Sequence, residues 1–209
     1  MQLQLAIDLC NTEEMLELVS KVHDLVDIVE IGTPMIILEG QKPVQALRKK
    51  YPELTILSDT KIMDGGMLEA EYAIKAGADI VTVLATAPDA TIKGAIDTAR
   101  KYGKKVLIDM INHPNFKNRV IEVDGWGADY VGVHTASDIQ GEGNNPIDEL
   151  RIAVEVVKNT KVSVAGGIGM DTLPNIKKIG PDVVIAGSKI TGSSNPRETV
   201  IKFQEIIKA

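Results

Sequence analysis

Cysteine is almost missing from this 209-residue chain, where Cys10 stands alone. That excludes an intrachain disulfide framework and any metal cluster built from thiolates. Cys10 follows the first apolar run and reads as a small buried hydrophobe, with a nucleophile as the alternative. Aromatic residues are only 3% of the chain against a hydrophobic total of 44%, so the core must be built from Val, Ile, Leu, Ala and Met. A basic surplus is missing too. The formal net charge is -6, which argues against a non-specific nucleic-acid binder. No apolar stretch approaches the roughly 20 residues that cross a bilayer, and Met1-Gln2-Leu3-Gln4 has no basic leader region. A cytoplasmic protein without membrane or nucleic-acid partners is expected. No linker, low-complexity tract or composition shift divides the chain, so a single domain over residues 1–209 is expected.

What is present is alternation: short β-branched runs take turns with amphipathic segments. Strands are expected at Leu3 to Asp8, Asp27 to Ile31, Leu54 to Lys61, Ile80 to Leu84, Lys105 to Met110, Tyr130 to His134, Lys161 to Ala165 and Asp182 to Ala186. Asn11 with Glu14 forms a possible capping box for a helix through about His23. A helical stretch follows Gly32-Thr33-Pro34 to about Lys50, with further helices at Met67 to Ala76, Pro88 to Tyr102 and Asn115 to Trp126. Asn145-Pro146 and Asn195-Pro196 fit N-cap and first helical positions, and Asp171 can cap a short helix to about Ile179. The longest irregular stretch, 135–145, contains Gly141 and Gly143. Near-continuous apolar strands imply a parallel sheet covered by helices. Eight strand–helix units favour a closed (β/α)8 TIM barrel over an open doubly wound sheet. An open sheet with a nucleotide site would want G-x-G-x-x-G after the first strand, where Leu9-Cys10-Asn11-Thr12 stands.

The barrel gives the polar residues a shared location, because its active site lies where the C-terminal strand ends meet. Asp8, Glu30, Asp59, Lys61, Asp109 and His134 all fall at such ends. In Ser58-Asp59-Thr60-Lys61-Ile62-Met63-Asp64, the strand period of two puts Asp59 and Lys61 on one face, with Asp64 just past the strand. A structural ion pair is the plain reading of that group alone. Convergence of so many polar strand ends favours a site. Glu30 and Asp59 supply hard oxygen ligands suited to Mg2+, and Lys61, kept protonated by Asp59 and Asp64, can stabilise an oxyanion. His134 is the proton-transfer residue, a core histidine being the alternative, while His23 and His113 read as helix-end and loop residues. Gly166, Gly167, Gly187 and Ser188 follow the last two strands, where backbone N–H groups can meet a phosphate. Lys189 either adds charge there or is a solvated surface lysine.

Asp59-x-Lys61-x-x-Asp64, with Asp8, Glu30-Ile31-Gly32, Ala165-Gly166-Gly167 and Ile185-Ala186-Gly187, resembles the orotidine-monophosphate decarboxylase superfamily over essentially the whole chain. Glu30 stands where the metal-independent decarboxylases carry lysine, which points to the Mg2+-dependent branch. Thr82-Val83-Leu84, 90–95, 108–112 and Val133-His134-Thr135 are similar to the branch's formaldehyde-fixing aldolases. The branch's 3-keto-L-gulonate-6-phosphate decarboxylases carry arginine where this chain has Ser137 and Ser188. The resemblance implies aldol condensation of formaldehyde with D-ribulose 5-phosphate through a Mg2+-stabilised 1,2-enediolate. In that reading Lys61, His134 and Asp64 are catalytic, Glu30 and Asp59 hold the metal, and Asp8 binds substrate hydroxyls or the metal's waters. It also implies a homodimer in which Asp64 reaches the partner's site. Decarboxylation of a keto-sugar acid phosphate, and non-catalytic sugar-phosphate binding, are the alternatives.

Overall fold

Eight parallel strands pair in sequence order and the eighth closes on the first, so the expected (β/α)8 barrel is the fold observed. The computed structural model describes residues 1–8, 10–140 and 145–209, which leaves Gly141 and Gly143 outside the described residues. The strands are β1 (Gln2–Ile7), β2 (Ile28–Ile31), β3 (Thr55–Ile62), β4 (Ile80–Leu84), β5 (Lys105–Asp109), β6 (Tyr130–His134), β7 (Lys161–Ala165) and β8 (Val183–Ala186). Around them run α1 (Thr12–Val22), α2 (Thr33–Glu39), α3 (Lys42–Lys50), α4 (Gly66–Ala76), α5 (Asp89–Lys101) and α6 (Phe116–Trp126). The remaining helices are α7 (Ser137–Gln140), α8 (Ile147–Val156), α9 (Leu173–Ile179), α10 (Ser188–Thr191) and α11 (Pro196–Lys208).

Alternation along the strands divides the core in two. Outward residues such as Leu3, Leu5, Ile7, Val29, Ile31 and Val81 pack under the helices in one large aliphatic cluster. Inward residues Ile28, Leu57, Ile80, Leu107, Tyr130 and Val183 form a second cluster that plugs the barrel. Two positions further along the same inward face stand Glu30, Asp59, Thr82 and Asp109, all buried. The lumen therefore changes from apolar to charged within one side-chain repeat, because the strands are parallel and in step.

At the opposite end an aspartate immediately precedes each even-numbered strand. The carboxylates of Asp27, Asp79, Asp129 and Asp182 accept the N–H groups of Leu3, Ile56, Val106 and Val162 at 2.8 to 2.9 Å. Each aspartate N–H returns a bond to the carbonyl of the same residue. Four strand pairs are thus stapled by one repeated device.

The helix ends differ from expectation in four places, one of them α8, whose N-cap is Pro146 rather than Asn145. The Asn11–Glu14 capping box forms, and Asn195 caps α11. The stretch to Lys50 is two helices, because Gly40 takes a left-handed φ of 61° and Pro43 restarts the chain. Asp171 does not cap α9. Its N-cap is Thr172, whose hydroxyl accepts the Gly169 N–H at 2.9 Å. Within 135–145, the four residues of α7 interrupt what reads as irregular chain.

Candidate active site

The barrel brings Asp59, Lys61, Asp109 and His134 into one hydrogen-bonded row. Lys61 Nζ donates to Asp59 Oδ2 at 2.8 Å and to Asp109 Oδ2 at 3.0 Å. His134 Nδ1 lies 3.0 Å from the same Asp109 oxygen, while Asp109 Oδ1 accepts the Ile111 N–H. Burial alone would pull the Lys61 ammonium down, but Asp59 and Asp109 outweigh it and hold it above the usual lysine range. The second partner is Asp109, not Asp64 as the sequence suggests. Asp64 is exposed, and its carboxylate accepts the Gly65 N–H. Burial likewise raises the Asp109 acid, yet His134 and Lys61 bring it down to about 2. An ionised Asp109 can only accept, so it places the His134 proton on Nδ1 and leaves Nε2 free to take one.

Lys61 reaches this row by an irregular route. Between Ser58 and Ile62 four steps of β3 oppose two of β4, and Lys61 adopts φ 46°. A left-handed backbone at a long side chain is strained. Asp59 and Lys61 do meet, but through this bulge rather than through simple strand alternation.

Carboxylates crowd the same end. Asp8 follows β1 and presses against Gly32, where a Cβ would collide with its Oδ1. Glu30 accepts from Gln4 Nε2 at 2.6 Å. Burial, and then the charge of Asp59, push Glu30 up to about 8 and raise Asp8 from its ordinary value. Among the described residues no three His, Cys, Asp or Glu side chains form a ready metal cage. Mg2+ does not need one, since it binds through one or two carboxylates with waters and substrate oxygens. The donor set fits it: hard oxygens only, with acceptor capacity left on Glu30, and mutual repulsion that a divalent cation would offset.

The glycine loops adjoin one another. Gly166 and Gly167, with φ of 110° and 65°, follow β7, and only glycine reaches such angles without strain. Gly187 precedes α10 and faces Ala6 and Asp8, while the Lys189 side chain lies along Gly169. Ser188 opens α10 and Ser137 opens α7. Cys10 packs against Met35, and burial with the nearby carboxylates pushes its thiol up to about 11, so it fits the hydrophobe reading.

The sequence puts Asp109 at a strand end and Thr82 in a segment of family resemblance without marking a role for either, and it marks none for Thr33 or Gln4. Thr82 Oγ1 donates to Asp59 Oδ1 at 2.7 Å and Thr33 Oγ1 to Asp59 Oδ2 at 2.8 Å. The available signal was position: Thr82 and Asp109 each stand two residues beyond an apolar plug residue, as Asp59 does.

The sequence model of the Orotidine 5'-phosphate decarboxylase / HUMPS family matches residues 1–203. The chain belongs to that family. It is 47% identical over 207 residues, 99% of each chain, to the 3-hexulose-6-phosphate synthase of Bacillus subtilis. The crystal structure of 3-hexulose-6-phosphate synthase from Salmonella typhimurium superposes with a TM-score of 0.97 at 41% identity, covering 100% of this chain and 99% of that one. A 3-keto-L-gulonate-6-phosphate decarboxylase from Vibrio cholerae is further away, with a TM-score of 0.88 at 26% identity, covering 99% of this chain and 97% of that one.

Proposed function

We propose that the protein joins formaldehyde to D-ribulose 5-phosphate, giving D-arabino-hex-3-ulose 6-phosphate. The observation that carries this reading is the row Lys61–Asp109–His134, a fixed cation and a proton acceptor held by one ionised carboxylate. His134 Nε2 takes a C1 proton from the ketose, and Asp109 stabilises the imidazolium that results. The enediolate oxygen takes the Lys61 ammonium as a counter-ion, and C1 then attacks the formaldehyde carbon. His134 is left with a proton to return to the new hydroxyl. Mg2+ held by Glu30 and Asp59 would supply Lewis acidity to the substrate oxygens. Asp8 is assigned to substrate hydroxyls, and the Gly166-Gly167 and Gly187-Ser188 backbone to the 5-phosphate, which fixes the distance to C1.

A homodimer and a catalytic role for Asp64 belong to the same proposal. Met63, Met67, Leu68 and Tyr72 flank Asp64 and are 47%, 67%, 52% and 59% exposed, an apolar patch that a second copy would cover. Among the described residues no helix is long and apolar enough to cross a membrane, and a cytoplasmic location is part of the proposal.

The test is loss of formaldehyde in the presence of ribulose 5-phosphate and Mg2+, with light scattering to give the assembly mass. Consumption that requires the sugar and stops with excess EDTA is expected, from a particle of twice the chain mass. Untouched formaldehyde, together with CO2 release from 3-keto-L-gulonate 6-phosphate, would replace the aldolase reading with the decarboxylase one.

A further inference from the structure

We infer that Thr82 is a positioning residue that fixes the looped-out Lys61 backbone and, through the same hydroxyl, the carboxylate its ammonium pairs with. This rests on the reading of Lys61 as the oxyanion counter-ion. In a regular parallel ladder the N–H of a strand residue donates to a carbonyl of its neighbour. At the β3 bulge that pattern breaks. The Lys61 N–H donates instead to the Thr82 hydroxyl at 2.8 Å. The Thr82 carbonyl accepts the Thr60 hydroxyl at 2.9 Å. Two side-chain bonds thus cross the interruption between the paired ends of β3 and β4.

The Thr82 hydroxyl has one proton, and it goes to Asp59 Oδ1 at 2.7 Å. One atom therefore accepts from the Lys61 backbone and donates to the Asp59 carboxylate, and Thr82 is 3% exposed, so water cannot stand in for it. Lys61 carries a left-handed φ of 46°, a conformation that persists only where its surroundings over-determine it. Without the hydroxyl, the main chain at Lys61 has a buried N–H to satisfy and an easy route back toward extended geometry. The ammonium would then leave the notch between Asp59 and Asp109. Valine has nearly the shape of threonine, so packing against β3 and β5 is kept while both bonds are lost.

The experiment compares wild type, Thr82→Val, Thr82→Ser, Thr82→Ala and Lys61→Ala in formaldehyde consumption. Each variant's turnover is divided by its folded fraction from circular dichroism. Thr82→Val should lower kcat roughly 10- to 100-fold, while KM for the sugar phosphate stays within about threefold. Thr82→Ser should recover kcat to within about threefold of wild type, because the hydroxyl returns although the methyl does not. A purely structural threonine would instead lower the folded fraction and leave kcat per folded molecule alone, which overturns the inference. Failure of serine to rescue overturns it as well. Should Thr82→Val not fold, Thr82→Ala carries the test, because it also removes the hydroxyl, with a kcat loss at constant KM expected and an unchanged kcat contradictory. Wild-type turnover in Lys61→Ala would remove the oxyanion reading itself, and is distinguishable because it appears without any change at Thr82.

Discussion

At the N-terminal end of the barrel, Asp27, Asp79, Asp129 and Asp182 each face a backbone N–H of the neighbouring strand. At the C-terminal end, Asp8, Glu30, Asp59 and Asp109 face one another around a single lysine and a single histidine. The same acidic residue type does opposite work at the two ends. Below, each carboxylate has its own donors, so burial is compensated and the strands are held in register. Above, carboxylates outnumber cations, and the excess appears as acids pushed up by burial and by each other's charge. One end adds stability, and the other gives some up to hold a charged pocket. That division matches the general placement of function at the C-terminal face of such barrels.

Exchanging single oxygens at either end would break or sharpen the contrast. The largest effect is expected from Glu30→Gln. It keeps an oxygen for Gln4 but removes a charge, so turnover should fall at least about 100-fold. The heat midpoint of the metal-free protein at pH 8 should rise, because an acid whose pKa is raised on folding loses stability as pH climbs above its unfolded value. A lowered midpoint would show that the upper carboxylates are not in conflict.

Asp79→Asn should do the reverse. Asp79 accepts the Ile56 N–H and pairs with Lys104 at 2.6 Å and with Arg48. Losing its charge should cost about 2 kcal/mol in denaturant unfolding at pH 7, with kcat per folded molecule unchanged. Burial alone would raise Asp79, but its hydrogen bonds and the two cations hold it below the ordinary carboxylate value. Its stabilisation is therefore complete above that ordinary value and fades as pH falls through the depressed one. The smallest expected effect follows: the gap between Asp79→Asn and wild type should narrow in acid. A gap that stays constant from pH 7 into acid would mean that the charge of Asp79 contributes nothing.

The repeated parts of this molecule were legible in its sequence. Eight β-branched runs gave the barrel, Asn11 with Glu14 gave a helix start, and the strand-end residues gave most of the site. What escaped depends on three-dimensional pairing or on local backbone exceptions. Period-two alternation brings Asp59 and Lys61 to one face, but it cannot foresee that two extra β3 residues and a left-handed Lys61 make the contact. Asp109 reads as a strand-end acid. Its role depends on lying between Lys61, 48 positions earlier, and His134, 25 positions later. Asp64 looked like a partner of Lys61 by proximity in sequence, yet the turn at Gly65 carries it out to solvent. Gly40 reads as an ordinary position in a helical stretch until its left-handed φ shows the break.

The most direct test of the upper end as a proton-transfer site leaves formaldehyde out. Ribulose 5-phosphate is incubated with the protein and Mg2+ in D2O, and the C1 protons are followed by NMR. Stereospecific loss of one C1 proton is expected, abolished in His134→Ala and strongly slowed in Asp109→Ala. Full retention of both C1 protons by a folded protein that still consumes formaldehyde with the sugar would contradict the enediolate and the role given to His134.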